Sequence, residues 1–364
     1  MSELDNIFRD INKKYSDGRY DIATKGLIQK SFDLVSFGSA GVDYSTYGGW
    51  PIGRVIELFG PESSGKTTTA IKMCAEYQKM PNAKEIVYFD LEDTFDLKWA
   101  KLHKLDTDKI RMISPEGMSA EQILDIVCKV VETDEVGLVV IDSIPMLVPA
   151  LQMDNSMEKG NIGGVAKALT LFCAKVIPLL KKHDTTCIAI NQVRDDMDSM
   201  YNAYTTPGGK AFKHACTLRI ETRAGDKFNM KGEIISKTAE NAYGQYIKTF
   251  IRKTKMCPPN RLNGMYTLIF TKGVDELADL IRIATLFDLV HQSGAMYQIV
   301  DGETGEILSD ENGPIKFRGK NAVVEYYRTH PEQYNSLKQF TLNKLKDQGD
   351  TFNYGDVTED DEEE

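Results

Sequence analysis

Residues Gly60-Pro61-Glu62-Ser63-Ser64-Gly65-Lys66-Thr67 have the spacing of a phosphate cradle. In such a run Gly60 and Gly65 let backbone N–H groups turn inward on phosphate oxygens, and a helix starting at Lys66 adds its partial positive charge. Lys66 supplies a cation at the β- and γ-phosphates. Thr67 offers a hydroxyl to Mg²⁺, and Thr68 extends the candidate nucleotide-binding run from Gly60. In "LVVIDS", four apolar residues lead to Asp142, a carboxylate at a strand end where Mg²⁺ would sit. In "YFDLED", Asp90, Glu92 and Asp93 all compete to orient an attacking water. No arginine lies beside the cradle to stabilise the leaving phosphate. The candidate cations are far along the chain, Lys253 and Lys255 in "IRKTKM", two residues apart and so on one face of a strand. They either clamp a γ-phosphate on a neighbouring subunit or form a solvated pair on an edge strand.

These groups need a scaffold of parallel strands. Short apolar runs at 54–59, 85–90, 137–142, 186–191, 217–222 and 246–253 alternate with helical patterns. Near-continuous apolar runs suit strands covered on both faces, joined by crossover helices. The predicted fold class is α/β, a P-loop ATPase core around a mostly parallel central sheet. Residues 1–34 carry Leu4, Ile7, Phe8, Ile11 and Tyr15 at helical spacing, started by Ser2 and Asp5. That arm is too small to bury its own stripe. The core runs over 35–272. Two stretches rich in Gly, Asn, Asp and Ser, at about 151–166 and 193–210, interrupt it and read as functional loops. Residues 273–348 read as a small α+β domain, with helical patterns over 274–292 and 321–346 around a turn-rich segment. Residues 349–364 form an acidic tail.

Among 364 residues, 41% are hydrophobic and 27% charged, an ordinary composition for a water-exposed protein. There is no apolar run of membrane-spanning length and no signal-peptide pattern, so the expected location is cytoplasmic and no membrane partner is expected. Six scattered cysteines without a C-x-x-C suit free thiols. The formal net charge of −10 is concentrated in the last nine residues, "DVTEDDEEE". Without their seven carboxylates the balance is 44 cations to 47 anions, so a polyanionic partner is not excluded. The tail reads either as a solvated end or as a mimic of a phosphate backbone.

"RVIELFGPESSGKTTTA", "LVVIDS", "INQVR", "TPGGKAFKHA" and "IRKTKM" occur in this order. Together they resemble the RecA-type homologous recombinases of bacteria and phages, the RecA–UvsX family, over about residues 35–345. The resemblance implies a RecA-like core with an N-terminal helical polymerisation arm and a small α+β C-terminal domain. It also implies an ATP- and Mg²⁺-dependent ATPase that forms helical filaments on single-stranded DNA. Such proteins pair that strand with homologous duplex DNA and exchange strands in recombinational repair.

By the same resemblance Glu92 is the general base. Asp96 and Trp99 contact the adenine, Trp99 standing where the family has a smaller aromatic. Lys253 and Lys255 reach the neighbour's ATP, and Gln192 couples nucleotide state to DNA binding. The long stretches become DNA-binding loops. Ile162 and Lys167 belong to the first. Arg194, Met197, Gly208, Gly209 and Lys210 belong to the second, with Tyr201 near Met197. The second loop departs from the pattern: "DDMDS" puts three carboxylates in a segment that should face phosphates, and Asp196 replaces a family lysine. Either these turn outward, or the protein leans on an accessory loading or single-strand-binding partner. Lys316, Arg318 and Lys320 are either a guide for duplex DNA or a solvated basic turn. Other readings of the core are a ring helicase or motor of the same fold and an ATP-gated oligomeric scaffold.

Overall fold

The computed structural model describes residues 2–15, 32–153, 164–195, 204–301, 304–311 and 313–353. They fall into two compact units, residues 1–33 and 34–364. In the first, helix α1 spans Glu3–Tyr15. Ser2 N donates to Asp5 Oδ2 at 2.9 Å and Asp5 N donates to Ser2 Oγ at 3.2 Å, so the two residues cap each other reciprocally. Leu4 and Ile7 are exposed on it.

The second unit is built on a ten-stranded sheet. In chain order its elements begin β1 (Val55–Gly60), α2 (Lys66–Tyr77), β2 (Glu85–Asp90), α3 (Leu97–Leu102), β3 (Ile110–Ile113), α4 (Ala120–Glu132) and β4 (Val136–Asp142). After α5 (Gly164–His183) and β5 (Thr186–Gln192) come the short pair β6 (Arg194–Asp195) and β7 (Tyr204–Thr205), then α6 (Gly209–Ala215). The sheet continues with β8 (Leu218–Phe228), β9 (Gly244–Thr254), β10 (Asn263–Ile269) and β11 (Gly273–Val274). The order β8-β1-β5-β4-β2-β3 is parallel throughout; β9, β10 and β11 extend it antiparallel beyond β8, and the short strand Ile234–Ile235, antiparallel to the end of β8, is the tenth.

All residues of β1 and β4 are buried, as parallel strands roofed by helices must be. Ile123 and Val127 of α4 and Leu169, Phe172 and Val176 of α5 pack with Val87, Val139 and Ile141 from the sheet. The chain then forms α7 (Glu276–Leu286), the strands β12 (Val290–Ser293), β13 (Met296–Ile299) and β14 (Lys316–Arg318), and helices α8 (Lys320–Thr329) and α9 (Pro331–Asn353). Leu280, Ile283, Val323 and Tyr327 form a second hydrophobic cluster there.

Where these elements differ from the sequence patterns, the backbone explains it. The helical pattern over 274–292 stops at Leu286, because Asp288 takes a left-handed φ of 56° and Val290 then pairs with Ile299. Leu289 and Val290 continued the apolar rhythm, so periodicity could not mark the end. The pattern over 321–346 is two helices. His330, turned out of the helical region at φ −127° and ψ 75° before Pro331, separates them. Ala150–Met153 and the residues from Gly164 are helical, so both ends of the first long stretch are regular helix. Five of the six free cysteines are buried. Among the described residues, no helix is long and apolar enough to cross a membrane.

Candidate nucleotide and DNA site

Register places the candidate groups in one row. Gly60 ends β1 opposite Gln192 of β5, and Asp90 of β2 lies opposite Asp142 of β4. Since β1, β5, β4 and β2 are neighbours, all four residues stand at the carboxyl edge of the sheet, where open α/β sheets bind ligands. The loop from Pro61 turns directly into α2. Gly65 caps that helix at φ 90°, and a Cβ there would come within 2.8 Å of the Tyr266 hydroxyl, so only glycine fits. Ser64 Oγ lies 2.9 Å from Thr222 Oγ1 and ties the cradle to β8. Glu62 and Ser63 are exposed at its rim.

Lys66 is buried, with Nζ donating to the carbonyls of Gly60 at 3.2 Å and Pro61 at 2.6 Å. Burial holds its ammonium below the ordinary lysine range, and the carboxylates of Asp142, Glu92 and Glu62 pull it back. Thr67 Oγ1 donates to Asp142 Oδ2 at 3.0 Å, and the Tyr88 hydroxyl donates to the same oxygen at 2.7 Å. Burial pushes the Asp142 carboxyl up to about 6 against these hydrogen bonds. A hydroxyl and a carboxylate in contact beside a phosphate loop fit Mg²⁺, which takes few protein oxygens and fills its shell from phosphate and water. Among the described residues there is no group of three or more His, Cys, Asp or Glu side chains for another metal.

The three competing carboxylates separate by role. Asp90 is buried and accepts from the Thr94 and Phe95 amides at 3.2 and 2.9 Å. Asp93 is exposed on a left-handed backbone. Glu92 alone turns to the site: its Oε1 accepts from Ser143 Oγ and, at 3.3 Å, from Gln192 Nε2. Asp96 Oδ1 caps α3 by accepting from the Lys98 and Trp99 amides. The Trp99 indole N–H donates to Thr68 Oγ1 at 3.1 Å, which fixes this aromatic face to the cradle helix. His103 packs against it with ring centroids 4.6 Å apart.

Lys253 and Lys255 are not brought to the cradle of their own chain. Lys253 pairs with Arg219, which pairs with Glu57, three residues before Gly60. The pair therefore sits about 10 Å back along the strands and about 10 Å across the sheet. Both ammonium groups instead cap α6: Lys253 Nζ donates to the carbonyls of Lys213 and His214 at 2.7 and 2.8 Å, and Lys255 Nζ to His214 at 2.9 Å. The shared carbonyl puts both on one face.

Gly208, at φ 108°, caps the other end of α6, followed by Gly209 and the exposed Lys210. A Cβ on Gly209 would meet Ala166 at 3.1 Å, so the end of the second long stretch packs beside the exposed Lys167 of the first. Arg194 is exposed and pairs with Thr205, closing the root of the second stretch. Asn191 Nδ2 donates to Glu57 and to the Pro207 carbonyl, holding that root from below. Ile162, Met197, Tyr201, Asp196 and most of "DDMDS" lie outside the described residues.

Sequence reasoning missed Tyr88, Ser143 and Tyr204. The first two lie inside the quoted motifs "YFDLED" and "LVVIDS" and could have been found as hydroxyls beside a carboxylate. Tyr204 carried no signal.

A phosphate loop at the carboxyl edge of a parallel sheet, with a strand-end aspartate beside it, defines a P-loop nucleotide-binding ATPase core. Residues 2–275 match the family model of the RecA N-terminal domain. The chain is 32% identical over 308 residues to Protein RecA of Mesoplasma florum, covering 84% of this chain and 85% of that protein. It is 30% identical over 370 residues to Protein RecA of Staphylococcus carnosus, covering 99% and 94%. It is also 30% identical over 344 residues to Protein RecA of Thermus aquaticus, covering 94% of each. The chain belongs to the RecA family.

Proposed function

We propose that ATP bound on the cradle joins adjacent copies of this chain and sets their grip on single-stranded DNA. As a RecA family member the protein is an ATP-dependent DNA recombinase, a DNA-dependent ATPase that binds DNA and forms filaments. The observation that carries the finer reading is the Glu92–Gln192 contact at 3.3 Å, which links the water-orienting carboxylate to the residue that opens the second DNA segment.

In this reading Gly60 to Thr68 bind the phosphates, with Lys66 leaving its carbonyl partners for the triphosphate. Trp99 and Asp96 take the adenine. A Mg²⁺ ion held by Thr67 and Asp142 would neutralise charge developing on the phosphates. Glu92 orients the attacking water. Lys253 and Lys255, too far from their own cradle, serve the site of the neighbouring subunit, and α1 serves as the arm that docks on it. Gln192 exchanges Glu92 for a γ-phosphate and shifts the segment that follows. Arg194, Gly208, Gly209 and Lys210, with Lys167 beside them, hold the DNA backbone without reading sequence. Ile162 and Met197 meet the bases, and a loading partner compensates for the acidic stretch.

The test is ATP hydrolysis with and without single-stranded DNA, together with electron microscopy of the DNA complex formed with a non-hydrolysable ATP analogue. Strong stimulation and extended nucleotide-dependent filaments are expected. Equal DNA binding with ATP, with ADP and with no nucleotide would overturn the reading.

A further inference from the structure

Strand β9 presents Lys253 to α6, and its neighbour Arg252 reaches a different partner. Arg252 Nε donates to Glu221 Oε2 at 2.6 Å. Glu221 lies in β8 opposite Phe250 and is fully buried. Its other oxygen accepts from the Tyr204 hydroxyl at 2.9 Å and from Arg223, which also donates to the Tyr204 hydroxyl. The Arg223 and Arg252 guanidinium groups lie 5.5 and 5.2 Å from the centroid of the Phe250 ring, and Arg223 lies 5.5 Å from that of Tyr204. Burial alone would raise the Glu221 carboxyl. The hydrogen bonds from Arg223, Tyr204 and Arg252 reverse this and hold it below the usual glutamate range. A buried carboxylate with three donors has one arrangement, and Tyr204 is part of it.

Tyr204 belongs to β7, whose pairing with β6 closes the second candidate DNA segment. We propose that Tyr204 and Glu221 are positioning residues for DNA binding, pinning the exit of that segment to the strand that carries the lysine pair. Strand β9 and the residue that follows it then hold the segment on two sides: at Tyr204 through Arg252 and Glu221, and at α6 through Lys253 and the adjoining Lys255. Movement of this strand end toward a neighbour's triphosphate is transmitted to both. The inference rests on the reading that residues 193–210 hold DNA.

Tyr204→Phe keeps the ring and deletes the hydroxyl; Glu221→Gln keeps the shape and deletes the charge. For each, the apparent Kd for fluorescent single-stranded DNA with a non-hydrolysable ATP analogue is expected to rise about tenfold, since each loses a hydrogen bond of a charged group. The half-saturating DNA concentration for ATP hydrolysis should rise in step, with turnover at saturating DNA and nucleotide affinity little moved. A purely structural role would instead lower the melting temperature and nucleotide affinity together. If Glu221→Gln fails to fold, Tyr204→Phe decides the matter alone. Arg194→Ala combined with Lys210→Ala separates the two levels. If that variant loses DNA while Tyr204→Phe binds like the parent protein, the positioning role is wrong and the DNA segment stands. If it too binds normally, the segment assignment falls and the inference with it.

Discussion

Gln192 Nε2 lies 3.3 Å from Glu92 Oε1, although a hundred residues separate them in the chain. Parallel pairing creates this contact, because β5 and β2 end at the same edge and both side chains follow strand ends. The contact ties the Gln192 amide to the Glu92 carboxylate. Deleting each side should therefore give different losses. Glu92→Gln keeps a hydrogen-bonding partner but cannot accept a proton. It is expected to bind ATP normally and to hydrolyse it roughly 10²–10⁴-fold more slowly. Gln192→Ala leaves the carboxylate and is expected to keep hydrolysis without DNA while losing most of the stimulation by single-stranded DNA. Equal stimulation in Gln192→Ala and the parent protein, measured as a steady-state rate ratio, would remove the residue from the coupling route.

The proposed role of Trp99 as an adenine platform makes a second prediction. Trp99 is held at its edge by Thr68 and on one side by His103. Trp99→Ala removes an aromatic face contributing on the order of 1 kcal/mol, so ATP and ADP affinity should both fall about fivefold to tenfold. Trp99→Phe should lose less. Titration with a fluorescent adenine nucleotide checks both. A guanine nucleotide analogue that loses as much as the adenine one would indicate stacking without base discrimination.

Asp142 gives the site a pH dependence whose sign follows from burial. Its carboxyl is pushed up to about 6, above the unfolded value near 3.8. The folded form thus binds more protons between those values, and this group's contribution to stability is present below the unfolded value and lost as pH rises through 6. Mg²⁺ binding at the proposed site would run the opposite way, because the ion would compete with that proton. From pH 7 to pH 5 the Mg²⁺ concentration needed for half-maximal ATP binding should rise by about tenfold. In Asp142→Asn it should be high and flat with pH over the same range. A flat profile in the parent protein would take Asp142 out of the metal site.

What the sequence makes legible is what lies contiguous in it. The cradle fits in eight residues, and the strands that carry Gly60, Asp90, Asp142 and Gln192 announce themselves as buried apolar runs. Three carboxylates within four residues cannot be ranked that way. Only the tertiary arrangement turns Asp90 back to its own loop and Glu92 toward Gln192. The lysine pair is legible as a shared face, but its distance from its own cradle depends on β9 running antiparallel to β8. Tyr204 and Glu221 looked like an ordinary loop tyrosine and strand glutamate, because their significance is mutual and spans a gap of seventeen positions. The DNA roles of Ile162 in the first long stretch and Met197 in the second come from the resemblance alone.

The helix behind the cradle is tied to α7 by a buried ion pair. Lys72 Nζ lies 2.8 Å from Glu76 and 2.7 Å from Glu276, and all three side chains are largely or wholly buried. Burial would raise the Glu276 carboxyl, but Lys72, Lys104 and Lys79 hold it down at about 2. Its contribution is present above the unfolded value near 4.5 and is lost as pH falls toward 2. Lys72→Met removes the buried cation shared by two carboxylates, leaving Glu76 with Lys79 and Glu276 with Lys104, and should cost about 3 kcal/mol, which for a chain of this size lowers the melting temperature by roughly 4 °C. Calorimetry at pH 7 measures it. The loss should shrink near pH 3, where the parent protein has itself begun to forfeit the pair.

The proposed composite site makes the sharpest prediction, because in that reading its two halves come from different copies. Lys66→Ala should abolish nucleotide binding. Lys253→Ala with Lys255→Ala should leave nucleotide binding on the same chain, since those lysines never reach their own cradle, and lose DNA-dependent hydrolysis. Neither protein alone then turns over ATP. In a mixture, a Lys66→Ala subunit still offers its intact lysine pair to the intact cradle of a lysine-pair variant. About half of the variant cradles would meet such a neighbour in a random one-to-one filament, so hydrolysis should return in the mixture to a substantial fraction of the parent rate. The lysine-pair variant also loses the cations that cap α6, so its melting temperature is measured beside its activity. Recovery on mixing shows that the intact partner supplies what was missing. Two inactive proteins that stay inactive together, while both enter the same filaments, would mean that the pair serves only the helix it caps.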